Sequence, residues 1–477
     1  MALALAVRLN RRVVLNGKLL MKLGKTLVAV ALLLGGLNLS HGQDRARIAS
    51  SGPVSMEVLF PPTDPRQHEY DDVQSYLLNK TSPAFRLIAG AVIRVEWSDF
   101  DLGDAKSGTH TKYDFQLIDE MMAPWLAAGK TVSLVLHTVP YFAPPACPHR
   151  GTGSYGESGT GNCAMPSWMW TALGESNYVT CSGTRAPNFF APAFQTNYQA
   201  AITALVKHYS GNSSIAYIRP GLGKGGEINL PRGWQDPSTP CGEAYTGRWG
   251  YTIGDSEKYT WNAYLKKMLE FEGTLASLKQ LMVSITPVLA PGVNPQEVSD
   301  YIAPIAVKNR VGFGNQGLSA QSLRNCTGMQ ADWCGLFERF QGRVPLELQT
   351  LGASCPAGEN QCDEESRELS QRQKDRASPG GWQGPRRGPG PGQRGVSQGE
   401  PGPGGPGAGW QGPVTPARLS SMTGSLVPLL PFAIKHHATI LEIYCEDWLI
   451  AFSPNHPENP VYGADYAQAL KQAAEGN

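Results

Sequence analysis

The sequence predicts an α/β protein built as a (β/α)8, or TIM, barrel, and three observations predict it. Strand-like and helix-like stretches alternate from about residue 85 onward, the pattern of parallel strands joined by helical crossovers. Seven strand-like stretches can be counted there, and Val54 to Phe60 is the natural candidate for the eighth that a barrel needs. The length of 477 residues suits one large barrel with elaborate loops, the alternative being two modest domains. A hydrophobic content of 41% suffices for a sizeable core.

Taken in order, the first strand is Val54 to Phe60 (VSMEVLF) and the second Ala91 to Trp97 (AVIRVEW). A helix over Tyr113 to Ala128 follows, with Phe115, Ile118, Met122 and Trp125 on one face. Thr131 to Thr138 (TVSLVLHT) is the third strand. A long irregular stretch rich in Pro, Gly and aromatics leads to a helix over Phe194 to Tyr209. Ser214 to Pro220 is the fourth strand, and Lys258 to Gln280 a long helix. Met282 to Val288 is the fifth strand, with a helix over Pro295 to Ala306. Arg310 to Asn315 is the sixth, with a helix over Ala331 to Phe340. Val344 to Leu351 (VPLELQTL) is the seventh. A helix over Ser425 to His436, the eighth strand Ala438 to Tyr444 and a helix over Asp465 to Ala474 close the series.

Residues 379–413 interrupt it. This stretch is Gly, Pro, Gln and Arg with almost no aliphatics, so it cannot bury a core and is expected to be disordered. Its glycines keep no strict three-residue period, which argues against a collagen helix. It reads either as an insertion between strand seven and its helix or as a stretch translated in a shifted frame.

The N-terminal residues 1–42 read as a secretory signal. Basic residues from Arg8 to Lys25 precede the apolar run Leu27 to Leu34, and small residues follow. Met21 is an alternative start that would open a signal of ordinary length. The apolar run is short for a membrane anchor. The mature domain is then 50–475, secreted or periplasmic, with no membrane association after cleavage. A formal net charge of +1 gives no electrostatic reason to expect nucleic acid or an anionic membrane.

Nine cysteines in an exported chain suggest disulfides. Short spacings favour Cys326 with Cys334 and Cys355 with Cys362. Cys147, Cys163, Cys181 and Cys241 can pair among themselves, which leaves Cys445 as the odd one. No spacing matches a zinc site with paired CxxC motifs, and no metal is expected.

Barrel enzymes place their chemistry at the C-terminal ends of the strands. In VPLELQTL, Leu346 and Leu348 share one face and Glu347 and Gln349 the other, so Glu347 is expected to point into the barrel. A carboxylate there needs a partner or a task. Arg94, which shares a face with Glu96 in VIRVEW, is the candidate partner; a purely structural Glu347–Arg94 pair is the bland alternative. His137 ends strand three, as a substrate contact or hydrogen-bonding residue. After strand four, GLGKGGEIN delivers Glu227 on a glycine-rich turn. That turn lacks the Ser or Thr after Lys224 that a phosphate loop requires. Two carboxyl groups facing one site among aromatics fit glycosidic cleavage, in which one group carries a proton to the leaving oxygen and the other is ionised.

Carboxylates ending strands four and seven resemble the pattern of clan A glycoside hydrolases, which are (β/α)8 barrels. The segment from VIRVEWSDFD through YDFQLIDEMMAPWLAAGKTVSLVLHTVPYFAPP is similar to the region around strands two and three of family 42 β-galactosidases. The resemblance covers about residues 85 to 450 apart from the Gly/Pro stretch. It implies that Glu227 is the acid/base, Glu347 the nucleophile and Arg94 the nucleophile's partner. It also implies that Trp448, after strand eight, stacks a sugar. The chain departs from the clan in having Gly226 where Asn precedes the acid/base, which shifts contacts with the sugar 2-hydroxyl to residues such as Asn229. The chain ends soon after helix eight, so the further domains of family 42 are not expected.

The expectation is therefore a retaining glycosidase acting on β-linked oligo- or polysaccharide without a cofactor, its two carboxyls about 5–5.5 Å apart. Arg94, Trp97, His137, Asn229 and Trp448 are expected to bind substrate. Tyr141, Phe142, Trp168 and Trp170 are further candidate platforms, about half of which would be ordinary packing. Glu446 is the runner-up nucleophile, ahead of Glu442. The alternative function is a barrel that binds polysaccharide without cutting it, or a surface interaction protein using 379–413.

Overall fold

The computed structural model describes residues 54–60, 68–140, 162–231, 233–253, 260–285, 295–319, 322–323, 326–328, 331–351 and 425–475. The expected signal at 1–42, the segment 379–413, Tyr141, Phe142 and the Cys355–Cys362 pair lie outside the described residues.

Eight parallel strands form one sheet: β1 Ser55–Leu59, β2 Gly90–Glu96, β3 Thr131–His137, β4 Ile215–Pro220, β5 Met282–Ser284, β6 Gly312–Leu318, β7 Leu346–Thr350 and β8 Ile440–Tyr444. Their order is β4-β3-β2-β1-β8-β7-β6-β5. Consecutive strands are therefore neighbours throughout, as repeated βαβ units require. The two ends of the sheet meet where Ile218 of β4 bridges Leu281, and the Ile218 N–H donates to the Gln280 carbonyl at 3.0 Å. The sheet thus curls into a nearly closed (β/α)8 barrel.

Strand alternation sorts the side chains into two layers. Val58, Val95, Leu134, Leu136, Leu346, Leu348 and Ile443 face outward into one large apolar layer shared with the helices. The helix Pro192–Tyr209 shows why that layer forms. Phe194, Tyr198, Ala201, Ile202, Leu205 and Tyr209 are buried at three- and four-residue spacings along it. Each fully buried side chain of this kind contributes about 1.5–3 kcal/mol. The residues between the outward ones face the interior. Leu59, Val92, Val135 and Tyr444 meet there as a small separate apolar cluster. Much of the rest of that interior is polar among the described residues, whereas barrels usually fill theirs with branched aliphatics.

Two strand pairs outside the barrel correct expected helix starts. Asp101–Asp104 pairs with Thr109–Tyr113, and Ala331–Asp332 with Thr327–Gly328. Tyr113 therefore ends a hairpin of alternating threonines, and the helix begins at Gln116, whose N–H donates to the Asp114 side chain at 3.2 Å. The second expected helix shortens to Cys334–Phe340. Cys445–Phe452 is a helix that the strand-and-helix count did not contain. Among the described residues no helix is long and apolar enough to cross a membrane. Cys181–Cys241 and Cys326–Cys334 form disulfides, Cys163 is also disulfide-bonded, and Cys445 is free and buried.

Candidate active site at the barrel mouth and floor

The turn that follows β4 carries Glu227. Gly225 and Gly226 have φ of 71° and 78°, a region that favours glycine. The Gly225 N–H donates to the Val139 carbonyl at 2.8 Å and the Gly221 N–H to the Leu136 carbonyl at 2.9 Å, which ties the turn to the end of β3. Aromatic donors hold it from outside: Tyr198 Oη to the Gly221 carbonyl at 2.8 Å, Tyr264 Oη to that of Leu222 at 3.2 Å and Trp261 Nε1 to that of Ile228 at 3.1 Å. A Cβ on Gly226 would lie 2.8 Å from Nε2 of His137. The departure from Asn at this position thus has a steric cause: the backbone lies directly on the buried His137 ring.

Glu227 is half-buried at the mouth of the barrel, and Arg94, Lys224, Asn229 and Gln349 have similar exposure. The Asn229 amide nitrogen donates to Glu227 Oε2. Burial pushes the Glu227 carboxyl up to about 7, against the opposing pull of Arg219, Asn229 and Lys224. A carboxyl at that value can hold or release a proton near neutrality, which suits a general acid that later acts as base. The Asn229 Oδ1 is buried with no hydrogen-bond partner.

Glu347 lies deeper, fully buried on β7 and level with Gly314 of β6. A Cβ on Gly314 would overlap the Glu347 carboxylate, so only glycine leaves that space. Oε2 of Glu347 accepts from Arg219 Nη1 at 2.8 Å and from Gln316 Nε2 at 2.7 Å. Oε1 has no partner. Arg219 also reaches both oxygens of Glu442 on β8, at 3.1 and 3.2 Å, and Tyr217 donates to Glu442 Oε1. Glu57 on β1 is fully buried and accepts from Ser133 at 2.9 Å. The floor of the barrel therefore holds three carboxyl groups and one guanidinium that bonds two of them.

This imbalance governs protonation. Burial, the hydrogen bond from Ser133 notwithstanding, raises Glu57 from 4.5 to about 8, with Glu442 adding to the rise. Burial and the Glu442 charge also raise Glu347, while Arg219 opposes them. Burial works against the Arg219 charge, but the carboxylates of Glu442 and Glu347 outweigh it and hold the guanidinium above its ordinary value.

The structure brings together several of the expected site residues and separates others. Glu227, Asn229 and His137 share the mouth at β3 and β4. Arg219 links mouth and floor, since its charge acts on Glu227 while its Nη1 bonds Glu347. The cation on Glu347 is thus Arg219 and not Arg94: β4 and β2 both stand three strands from β7, and depth separates the two, Arg219 being buried on the floor and Arg94 half-buried nearer the mouth. Arg94 is half-buried and exerts its charge on Tyr444 at the end of β8.

Four of the expected sugar platforms are core residues. Trp448 is fully buried on the Cys445–Phe452 helix, which packs against Asn459–Glu475 and His68–Leu77. Trp97 is fully buried too, its Nε1 donating to Asp101 at 2.7 Å and its ring packed on Phe194 and Tyr198. Trp168 and Trp170 are likewise buried. Glu446 points away from the floor, its side chain 48% exposed and bonded to His456 at 2.8 Å. Arg219, Gln316, Glu57 and Tyr217 were not singled out from the sequence. Tyr217 and Arg219 stand two residues apart in an otherwise apolar strand, and the alternation that found Glu347 would have found them.

No family model and no curated protein matches the chain. Among solved structures it is similar to the catalytic domain of β-amylase from Paenibacillus polymyxa, at 14% identity and a TM-score of 0.33 over 67% of this chain and 83% of that one. It is also similar to a family 10 endo-β-1,4-xylanase from Gloeophyllum trabeum, at 12% and 0.34 over 70% and 84%. A third is endo-glycoceramidase II from Rhodococcus sp., at 14% and 0.35 over 67% and 70%. Likeness at this level says nothing about chemistry, and the barrel rests on its own strand order.

Proposed function

We propose that the chain is a retaining glycoside hydrolase acting on β-linked sugars, with Glu227 as acid/base and Glu347 as nucleophile. The observation that carries this reading is the asymmetry of Glu347. One oxygen is pinned by Arg219 and Gln316 while the other, Oε1, is left without a partner. In the first step Glu227 gives its proton to the glycosidic oxygen and Glu347 Oε1 bonds to the anomeric carbon, so that the C–O bond breaks and the alcohol leaves. In the second, Glu227 takes a proton from water, the water oxygen bonds to the anomeric carbon, and Glu347 is released. Glu57 near 8 keeps its proton at neutral pH and leaves the Arg219 charge to Glu347 and Glu442. The chemistry draws on side chains alone. A half-buried Glu227 at about 7 supplies the proton-transfer group, and the unpartnered Asn229 Oδ1 beside it is a candidate acceptor for a sugar hydroxyl.

A second reading, a barrel that binds polysaccharide without cutting it, draws on the complete burial of Glu347 and on its upward shift, both of which oppose attack by an ionised carboxylate. Initial rates on a panel of aryl β-glycosides separate the two. The glycosidase reading expects turnover that Glu347→Ala removes with the far-UV circular dichroism unchanged. Full activity in that variant would overturn the nucleophile, and binding without turnover across the panel would favour the second reading.

A further inference from the structure

A second chemical cluster lies outside the barrel interior. Cys326 follows β6, Cys334 opens the Cys334–Phe340 helix, and His436 ends the Leu426–Lys435 helix. One ligand atom from each of the three, the two Sγ and an imidazole nitrogen, lies within 4.8 Å of the other two. Cys326 Sγ is 3.9 Å from His436 Nε2. The other ring nitrogen, Nδ1, lies 3.4 Å from a carboxylate oxygen of Glu338. Trp333 and Phe432 wall the imidazole, with ring centroids 5.9 and 4.6 Å away. Cys334 and His436 are buried and Cys326 is half-buried.

In the oxidised chain the two sulfurs are joined. We propose that reduction of Cys326–Cys334 creates a zinc site from the two thiolates and His436 Nε2, so that the disulfide and the metal are alternative states of one cluster. Zinc takes thiolate at about 2.3 Å and imidazole at about 2.0–2.1 Å in tetrahedral geometry. Those lengths place sulfur and nitrogen about 3.6 Å apart across the metal, close to the separation already present between Cys326 and His436. Nδ1 has no hydrogen-bond partner in the oxidised chain, and Glu338 at 3.4 Å is the carboxylate near enough to orient the imidazole through it once Nε2 ligates the metal. Three protein ligands leave one position for water. The steps balance with a phosphine as reductant: the S–S bond takes two electrons from phosphorus, two protons give two thiols, and water supplies the oxygen of the phosphine oxide. Zinc binding then displaces the two thiol protons. The sequence conceals this site because its ligands are eight residues and then about a hundred residues apart, unlike paired CxxC motifs.

The test is cobalt(II) titration of the full chain before and after phosphine reduction, followed by visible absorption. The proposal expects intense tetrahedral ligand-field bands and thiolate-to-metal charge transfer only after reduction. They should saturate at one equivalent from this cluster and be displaced by zinc. Cys326→Ser and His436→Gln should each abolish them, and Glu338→Gln should raise the Kd about ten- to a hundred-fold. His436→Gln leaves the disulfide in place, so its folding is checked in the oxidised form before reduction. Absence of the bands in the reduced wild type would overturn the proposal. So would bands of equal strength in Cys326→Ser and His436→Gln, which would place the metal on other thiols.

Discussion

The mouth and the floor of the barrel both carry glutamates that burial pushes toward the protonated form, yet they answer that push differently. At the mouth, Glu227 is half-buried on a glycine turn, bonded to Asn229, and comes to about 7. On the floor, Glu57, Glu347 and Glu442 are fully buried on rigid strands, and Arg219 bonds the last two. The mouth has one group that exchanges protons near neutrality. The floor has fixed groups, and there burial and neighbouring charges together decide the protonation of Glu57 and Glu347. A retaining mechanism needs both kinds, a mobile proton and a positioned oxygen, and the contrast shows how one barrel can house them on successive layers.

Breaking the floor should have the largest effect. Arg219→Met removes the guanidinium that bonds Glu347 and Glu442 and is expected to lower unfolding stability by about 3–5 kcal/mol at neutral pH. The loss should shrink as the pH falls and the carboxyls take up protons. Urea denaturation at two pH values reads this directly, and a variant as stable as wild type would mean that the floor is not ionised. Silencing the mouth should cost activity and spare the fold. Glu227→Gln is expected to slow hydrolysis of poorly activated β-glycosides by about a hundred- to ten-thousand-fold. Wild-type activity should decline as pH rises through about 7, where Glu227 loses the proton it must donate. That limb should vanish from the residual activity of the variant.

A third comparison concerns stability against pH. Glu57 rises from 4.5 to about 8 in the fold, so the native state holds a proton that the unfolded chain has released across that window. Its contribution is complete below about 4.5 and is lost as pH rises through about 8. The slope is on the order of 1 kcal/mol per pH unit at most. Glu57→Gln should flatten the decline in urea midpoint between these limits, and an unchanged slope would assign it to other groups. The smallest effect is expected at the seam between mouth and floor. Gly226→Ala places a Cβ against His137 at positive φ and should cost about 1–2 kcal/mol. The loss is measured as a drop in unfolding stability with the same signal change on melting.

Much of the fold was legible because a barrel repeats one signal. Every barrel strand expected from the sequence overlaps a real one, and Glu347 faces inward as the Leu346/Leu348 alternation requires. The cross-barrel partners were not legible. Which inward cation meets Glu347 depends on the relative depth of strands two, four and seven, and spacing along the chain does not carry that stagger. Arg219 and Arg94 are both inward arginines in apolar strands three places from strand seven, and only their depth separates their roles. Trp448 misled for a related reason. Residues 445–452 form a helix, so a ring that a loop would have left at the mouth is turned into the core. Gly226 departs from the Asn that the resemblance expects before Glu227, and the turn has no room for a side chain beside His137.

The claim that Glu347 Oε1 attacks the sugar can be read most directly from a trapped intermediate. The chain would be incubated with an activated 2-deoxy-2-fluoro β-glycoside of a sugar it turns over, and its intact mass and peptide masses recorded. The account predicts a single added glycosyl group, carried by the peptide that contains Glu347 and absent from Glu347→Gln. A label on the peptide containing Glu442 or Glu446, or turnover of the parent glycoside with no covalent label at all, would contradict it.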